Sequence, residues 1–304
     1  MILLVVQALN GVQLGMLLFL IAAGLTLVFG VMDFINLAHG VQYMLGAYLG
    51  VSCAALTGNF WVGLALATIA TGAIGVALEW LIFRHLQERG HLDQVLATFG
   101  VILAMSEAVR MIWGPNPREL AMPALLSGSF ELMSGMRYPV YRLVLMVAGL
   151  AVAGLLALGV NRTRAGMLIR AGASNPVMVA ALGVDVGRLF RLVFAIGAML
   201  AGFAGVLAAP LVSVEPGMGD NLLILAFVVI VIGGIGSIRG AFIAALLVGL
   251  VDTLGRSLVS AVAAGMLSRG AAATLGPALA SMLIYLVMAL VLAIRPSGLF
   301  PARA

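Results

Sequence analysis

The sequence predicts an all-α membrane protein, a polytopic bundle of eight or nine spanning helices in one transmembrane domain covering residues 1–304. Of the 304 residues, 63% are hydrophobic and only 9% are charged, whereas soluble domains carry about 25% charged residues. Apolar stretches of about 20 residues, the length that crosses a bilayer, follow one another along the chain. Polar breaks within these stretches also predict broken or re-entrant helices, which membrane proteins tolerate only beside a cavity or inside the bundle.

The predicted helices are separated by short polar segments. The predicted helices before residue 161 cover residues 11–31, a stretch ending at 57, and then 60–83, 95–113 and 140–160. The predicted helices after residue 188 cover 189–212 and 275–294, with two shorter apolar runs at 222–232 and 241–254. Glycines four residues apart, such as Gly11/Gly15 and Gly46/Gly50, predict close packing between helices.

An arginine-rich loop at residues 161–191 predicts the orientation of the chain. It contains five arginines and a single acid, Asp185, and such an excess marks the cytoplasmic side. The tail, with Arg295 and Arg303 and no acid, should lie on the same side, so an even number of crossings separates it from the loop. The region 222–255 then makes two passes, one of them short, or one pass with a re-entrant segment elsewhere. The same count places the N-terminus outside and the C-terminus in the cytoplasm.

A short cytoplasmic coupling helix is predicted inside the arginine-rich loop. Asn175 is a favourable N-cap, Pro176 suits the first helical position and Gly183 suits the left-handed residue after the last turn. Its seven residues, Pro176 to Leu182, are too few for a helix to persist alone in water, so we expect it to dock on a separate cytoplasmic protein. The residues predicted for this contact are Asn175, Pro176, Val177, Val179, Ala180, Ala181, Leu182 and Gly183.

Four polar residues follow the first predicted helix at spacings of three: Asp33, Asn36, His39 and Gln42. If this stretch is helical they share one face, and a broken helix would then direct them at a central translocation path. The alternative is an interfacial loop near the cytoplasmic face, in which Asp33 or Asn36 caps the second helix.

The glycine-rich segment GGIGSIRG at residues 233–240 has two interpretations. It is not a phosphate-binding loop, because it lacks the GxxxxGK[ST] pattern and no strand precedes it. It is either a tight turn between short helices or part of a discontinuous helix of the kind that transporters use near their sites. In the second case Gly233, Gly234 and Gly236 would line the path.

Several residue types exclude other functions. All sixteen basic residues are arginine, so a Walker A lysine and a Schiff-base lysine are impossible. The three histidines have no metal-ligand spacing, and the arginines lie at membrane borders rather than in one basic patch for nucleic acid. We therefore expect no enzymatic activity, cofactor or metal in this chain.

Charged residues elsewhere predict interfacial features. Glu107 and Arg110, and Asp252 and Arg256, are spaced to form ion pairs on single helix faces. The segment from Glu215 to Asn221, which includes Asp220, is predicted as a short acidic outer loop, either solvated or in contact with a soluble donor protein.

Four segments of the chain resemble the LivH-type permeases of branched-chain amino acid ABC importers. They are NGVQLGMLLFLIAAGLTLVFGVMDFINLAHGVQYMLGAY at 10–48, RAGMLIRAGASNPVMVAALGVDV at 164–186, AFVVIVIGGIGSIRGAF at 226–242 and RPSGLF at 295–300. The resemblance implies a subunit of the bacterial cytoplasmic (inner) membrane. Its implied partners are a second, LivM-like permease, two cytoplasmic P-loop ATPases that bind ATP, and a periplasmic amino-acid-binding protein.

The resemblance places the coupling to the ATPase at Asn175–Gly183. Relatives often carry charged residues here, whereas this loop is neutral from Ala171 to Val184. The implied substrates are leucine, isoleucine and valine, with other amino acids, amides and urea as further members of the range.

The alternative function is a stand-alone secondary transporter or channel for small polar solutes. It would need ionisable residues at the middle of the bilayer or a pore-lining ring. The acids of this sequence are predicted at helix ends, which favours passive walls driven by an external ATPase.

Overall fold

The computed structural model describes residues 2–87, 89–133, 136–266 and 269–300, and these residues form a helical bundle. The helices before the arginine-rich loop are α1 (Ile2–Met32), α2 (His39–Thr57), α3 (Phe60–Leu81), α4 (His91–Trp113) and α5 (Val140–Arg162). The loop contains α6 (Arg164–Ser174) and α7 (Pro176–Ala181). The remaining helices are α8 (Val186–Ala208), α9 (Asp220–Gly233), α10 (Ile238–Met266) and α11 (Arg269–Ile294).

Most of the predicted helices are present, with different ends. In the described chain six segments, within α1, α3, α4, α5, α8 and α10, are long and apolar enough to cross a membrane, and α9 and the second half of α11 are shorter apolar segments. The first helix begins at Ile2 rather than near residue 11, and the last begins at Arg269 rather than near 275.

The all-α prediction needs one correction, in the stretch between α4 and α5. Two antiparallel strands, β1 (Ser129–Met133) and β2 (Met136–Pro139), form a hairpin there, with Phe130 opposite Tyr138. The alternation of aromatic and polar residues in SFEL and MRYP suits a half-exposed pair of strands. The hairpin is too short to cross a membrane and leaves the helical class of the spans unchanged.

The core of the bundle is built by close approaches between glycines. A Cβ atom at Gly11 would lie 2.9 Å from the Leu250 Cα atom, so α1 and α10 meet backbone to backbone. A Cβ atom at Gly46 would collide with the backbone of Gly202, which brings α2 against α8. The predicted packing role of these glycines is confirmed.

The loops lie at two ends of the bundle. At one end Gly30, near the end of α1, packs against Gly236, and this end also carries the loop with α6 and α7; we call it the arginine-rich end. At the opposite end the Tyr138 hydroxyl donates to the Asn10 side chain at 3.2 Å, and the Trp113 indole donates to Ser52 at 2.7 Å.

Candidate functional site

Two helices begin inside the bundle rather than at its ends. A Cβ atom at Gly40 would lie 2.8 Å from the Gly219 carbonyl oxygen and 3.1 Å from the Leu223 Cβ atom, so the starts of α2 and α9 touch. From this contact α2 runs to the opposite end, and α9 runs to the arginine-rich end, where Gly236 meets Gly30. We call the contact of Gly40 and Gly219 the α2–α9 junction. Around the start of α2, His39 faces Ile21 and Gly24 of α1, and Gln42 faces Gly75 of α3.

The junction lies about halfway through the bundle. The His39 Nε2 atom is 3.1 Å from the carbonyl oxygen of Ile21 in α1. Ile21 precedes the end of α1 at Met32 by roughly 16 Å, at 1.5 Å per helical residue. Two half-helices that meet at mid-depth are the arrangement by which membrane transporters build polar sites from interrupted helices.

The segment before α2 departs from both interpretations of the sequence. Residues 33–36 are not helical, so Asp33, Asn36, His39 and Gln42 do not share one helix face. Asp33 is exposed at the arginine-rich end, with a φ of 48° and a carboxylate oxygen 3.9 Å from His91 Nε2. The residue that precedes α2 is Ala38, without a side-chain cap. The predicted capping by Asp33 or Asn36 is therefore wrong, because Ala38 occupies the N-cap position and neither side chain accepts from the first N–H groups of α2.

Three of the four predicted polar residues are fully buried around the start of α2. Asn36, His39 and Gln42 have no exposed surface, and both amide atoms of Asn36 and Gln42 and the Nδ1 atom of His39 form no hydrogen bond of normal geometry with any described residue. An unpaired buried polar group costs about 1–3 kcal/mol, so several in one place need an explanation in terms of function or an alternative state.

The start of α9 overturns part of the acidic-loop prediction. Asp220 and Asn221 belong to α9 and are exposed at the depth of the junction, while Glu215 remains in the connecting loop. The chain reaches this depth because the segment after α8 descends beside α2, where the Gly217 N–H donates to the Met44 sulfur atom at 3.3 Å. One acid therefore lies at mid-depth, where the sequence predicts none, and tertiary folding rather than local pattern places it there.

The glycines between α9 and α10 form a tight turn. Gly234 and Gly236 have φ values of 101° and 77°, which favour glycine. A Cβ atom at Gly298 would lie 2.6 Å from the Gly234 Cα atom, so the tail packs on this turn. The tail also pairs with the end of α9, where Leu299 N–H donates to the Ile232 carbonyl at 2.8 Å. Of the two interpretations the structure has the turn, and a role of Gly233, Gly234 and Gly236 in lining a path stays a prediction.

The arginine-rich loop contains the predicted short helix. The Asn175 side chain accepts a hydrogen bond from Met178 N–H at 2.9 Å, and Gly183 has a φ of 83°. The helix ends at Ala181, one residue before the predicted end. The sequence analysis missed α6, which Thr163 caps by accepting from Gly166 N–H at 3.0 Å; its buried Gly166, Ile169 and Gly172 follow the spacing of a helix that packs on one side.

The apolar side chains of the short helix and of Leu182, which directly follows it, divide into two groups. Val177, Met178 and Leu182 are 78%, 58% and 77% exposed, whereas Val179 is 6% exposed. We call the three exposed side chains the α7 patch. Val179 instead holds the helix against the rest of the chain, so a docked protein would contact the patch and not Val179.

The predicted ion pairs are present near the opposite end. Arg256 lies 2.7 Å from Asp252, and Arg110 lies 3.5 Å from Glu107. Asp252 and Arg256 line an open cleft of about 310 Å³. The described residues contain no group of three potential metal ligands.

The fold and the junction define a multi-pass helical membrane protein with the interrupted helices of a transporter. The family described as branched-chain amino acid transport system / permease component matches residues 7–292, and the chain belongs to this family. It is 34% identical to the permease protein BraD of Pseudomonas aeruginosa over 263 residues, covering 82% of this chain and 85% of BraD. It is 32% identical to the permease protein LivH of Escherichia coli K12 over 269 residues, covering 84% and 86%. Both relatives are described as high-affinity branched-chain amino acid transport system permease proteins. No solved structure matches the chain.

Proposed function

We propose that the chain is the membrane-spanning subunit of an ATP-driven importer that moves branched-chain or related amino acids delivered by a periplasmic binding protein. The observation that carries this proposal is the α2–α9 junction at mid-depth, with buried polar side chains around the start of α2, in a chain of the permease family. The chain supplies the path, and ATP hydrolysis belongs to partner subunits.

The proposed topology has nine passes, formed by α1 to α5 and α8 to α11. Its second pass consists of the extended segment 33–38 with α2, and the pass after α8 consists of the descending loop with α9. The N-terminus lies outside and the C-terminus lies in the cytoplasm. The distribution of charge supports this orientation, because cytoplasmic loops are rich in arginine. Among the described residues nine arginines lie at the arginine-rich end: Arg84, Arg89, Arg162, Arg164, Arg170, Arg188, Arg191, Arg239 and Arg295.

The junction is proposed to be the closed point of the translocation path. Asn36, His39 and Gln42 are buried without enough partners. This raises the free energy of the closed state relative to a state in which these side chains gain water or substrate. Separation of α2 from α9 would open the path, and contact between Gly40 and Gly219 would close it.

Coupling to ATP is proposed to occur through α7. Its exposed patch of Val177, Met178 and Leu182 lies at the arginine-rich end, which the proposed topology places in the cytoplasm. Three exposed apolar side chains, two on a short helix and one directly after it, suit a cleft on a protein partner. The proposed assembly contains two P-loop ATPases, a second LivM-like permease and a periplasmic amino-acid-binding protein.

The test is purification of the tagged protein from its native membrane in mild detergent, followed by mass spectrometry and reconstitution. The expected result is recovery of an ATPase and a second permease, with ATP-dependent uptake of leucine, isoleucine or valine in vesicles containing the binding protein. Recovery of this chain alone, with uptake that needs no ATP, would contradict the proposal and favour a secondary transporter.

A further inference from the structure

We propose that Gln94 is a positioning residue of the transport cycle, which holds the extended segment 33–36 against the turn between α3 and α4 and so keeps the start of α2 in the closed junction. Release of the segment from this turn would then precede the separation of α2 from α9. The inference rests on the proposed function, and it adds the element that holds the path closed at the arginine-rich end.

The segment depends on contacts with other parts of the chain. It joins the end of α1 at Met32 to Ala38, the N-cap of α2. Asp33 begins it with a φ of 48°, in the left-handed region that residues other than glycine adopt at a cost. Such backbone conformations persist only where the surrounding structure over-determines them. The support for this one therefore comes from the elements packed beside it.

Gln94, in the first turn of α4, supplies a polar contact. The side chain is only 2% exposed. Its Oε1 atom accepts from the Ile35 N–H at 3.2 Å, and its Nε2 atom donates to the carbonyl oxygens of Leu86 and Arg89, both at 3.3 Å. These partners fix the orientation of the amide, because its NH₂ group can only donate and its oxygen can only accept. The Gln94 side chain thus joins the segment to the α3–α4 turn.

Phe34, the residue before Ile35, supplies an apolar contact with the same turn. Its ring centroid lies 5.4 Å from that of Phe83 in the turn, and the Phe83 centroid lies 5.3 Å from that of Phe194 in α8. All three rings are fully buried. Centroid separations of about 4.5–7 Å are favourable for aromatic pairs. The α3–α4 turn therefore contacts both the segment and α8, the helix that follows α7 in the chain.

The hydrogen bonding of Gln94 opposes that of the polar side chains around the start of α2. Asn36, His39 and Gln42 are buried with incomplete hydrogen bonding, which favours states in which they gain partners. Gln94 has partners for both its oxygen and its nitrogen, so it favours the closed arrangement. Opposing terms of this kind give a segment two arrangements of similar free energy, between which ligands can shift the population.

The test measures thiol labelling of single-cysteine reporters in the complete importer, purified in detergent, with Cys53 replaced by alanine. Ala38→Cys reports on the segment, and Ala244→Cys in α10 reports on general loosening; neither alanine has any exposed surface. Gln94→Met and Gln94→Leu remove the hydrogen bonds and keep a long side chain. Thr98→Val is the matched control, because Thr98 is fully buried one turn farther along α4 and its hydroxyl donates to carbonyl oxygens of its own helix.

We expect both Gln94 variants to speed the labelling of Ala38→Cys roughly threefold or more, since one hydrogen bond changes an equilibrium by about two- to tenfold. Labelling of Ala244→Cys should stay the same, and Thr98→Val should leave both reporters at their original rates. In vesicles, leucine uptake per ATP hydrolysed should fall in the Gln94 variants and not in Thr98→Val. Co-purification of the partner subunits checks the assembly of every variant.

A second measurement needs no change at Gln94. In the otherwise unmodified importer, ATP with leucine-loaded binding protein should speed the labelling of Ala38→Cys but not of Ala244→Cys. Constant labelling of Ala38→Cys during ATP turnover, Gln94 variants that label at the Thr98→Val rate, or variants that speed both reporters alike would overturn the inference. An unmodified importer that moves none of leucine, isoleucine and valine would refute the proposed function instead, and labelling of the resting protein would still test Gln94.

Discussion

The α7 patch gives a prediction whose size follows from the structure. Changing Val177, Met178 and Leu182 together to aspartate should separate ATP hydrolysis from transport and leave the membrane bundle folded. Full burial of one such side chain contributes about 1.5–3 kcal/mol. With 58–78% of each still exposed, docking of all three would contribute about 3–6 kcal/mol. Loss of that amount weakens association by roughly a hundredfold to ten-thousandfold, at about 1.4 kcal/mol per factor of ten.

The assay measures the ATPase that co-purifies with each variant, and amino acid uptake per ATP hydrolysed in vesicles. Leu125→Asp is the control, because Leu125 is 86% exposed and lies in the loop between α4 and α5, away from α7. Val179→Asp should behave differently again, since it would place a charge at a side chain that is 6% exposed and lower the stability of the segment itself. Normal ATPase recovery and uptake in the triple variant would refute the assignment of α7 as the coupling helix.

Two further predictions concern the junction and the orientation. Gly40→Ala should lower uptake and thermal stability, because its Cβ atom would lie 2.8 Å from the Gly219 carbonyl oxygen. Gly100→Ala is the control, since an added Cβ atom has no neighbour within 4 Å, and it should be neutral or slightly stabilising in its helix. Equal behaviour of the two variants would argue against a tight junction. In a background lacking Cys53, a cysteine at Ser127 should react with a membrane-impermeant maleimide from outside the cell and one at Ser174 only after permeabilisation. The reverse labelling pattern would invert the proposed topology.

Local signals made α7 predictable. The N-cap at Asn175, the proline after it and the glycine at 183 act within a few residues, so their physics is written in consecutive positions of the sequence. Close packing at Gly11 and Gly46 could be predicted for a similar reason, since the spacing of four places both small residues of a pair on one helix face.

The depth of the junction could not be predicted, because it depends on contacts between residues far apart in sequence. A polar break such as 33–38 fits either an interfacial loop or an interrupted helix. Only the contact of Gly40 with Gly219 and the bond from His39 to Ile21 distinguish the two. The same holds for Asp220, whose acidic neighbourhood is typical of a surface loop until the descent of the chain after α8 is known.

A continuous set of contacts connects the arginine-rich loop to α2 through α8. This helix follows α7 after a short connection and begins at a cap in which Asp185 accepts from Arg188 N–H at 2.9 Å. Farther along α8, a Cβ atom added at Gly205 would collide with the α2 backbone at Tyr43. A Cβ atom added at Gly202 would collide with Thr71 of α3. Because such packed interfaces shift as units rather than deform continuously, a movement of α7 could reach α2 through α8 only if the connection between α7 and α8 is stiff.

Gly183 tests this requirement, because it sets the direction of the connection at a position where a side chain would contact nothing. It has a φ of 83° and no neighbour within 4 Å of an added Cβ atom, so Gly183→Ala changes backbone preference alone, at a cost of roughly 1 kcal/mol or more. We expect this variant to assemble fully and to transport fewer amino acids per ATP, while Gly183→Asn, whose side chain tolerates the left-handed conformation, should remain close to normal. Gly159→Ala, also in open space but without a positive φ, is the matched control. An alanine variant with the same ratio of transport to ATP hydrolysis as asparagine would mean that force does not pass through this connection, and that α7 acts on α2 through α6 and α1 instead.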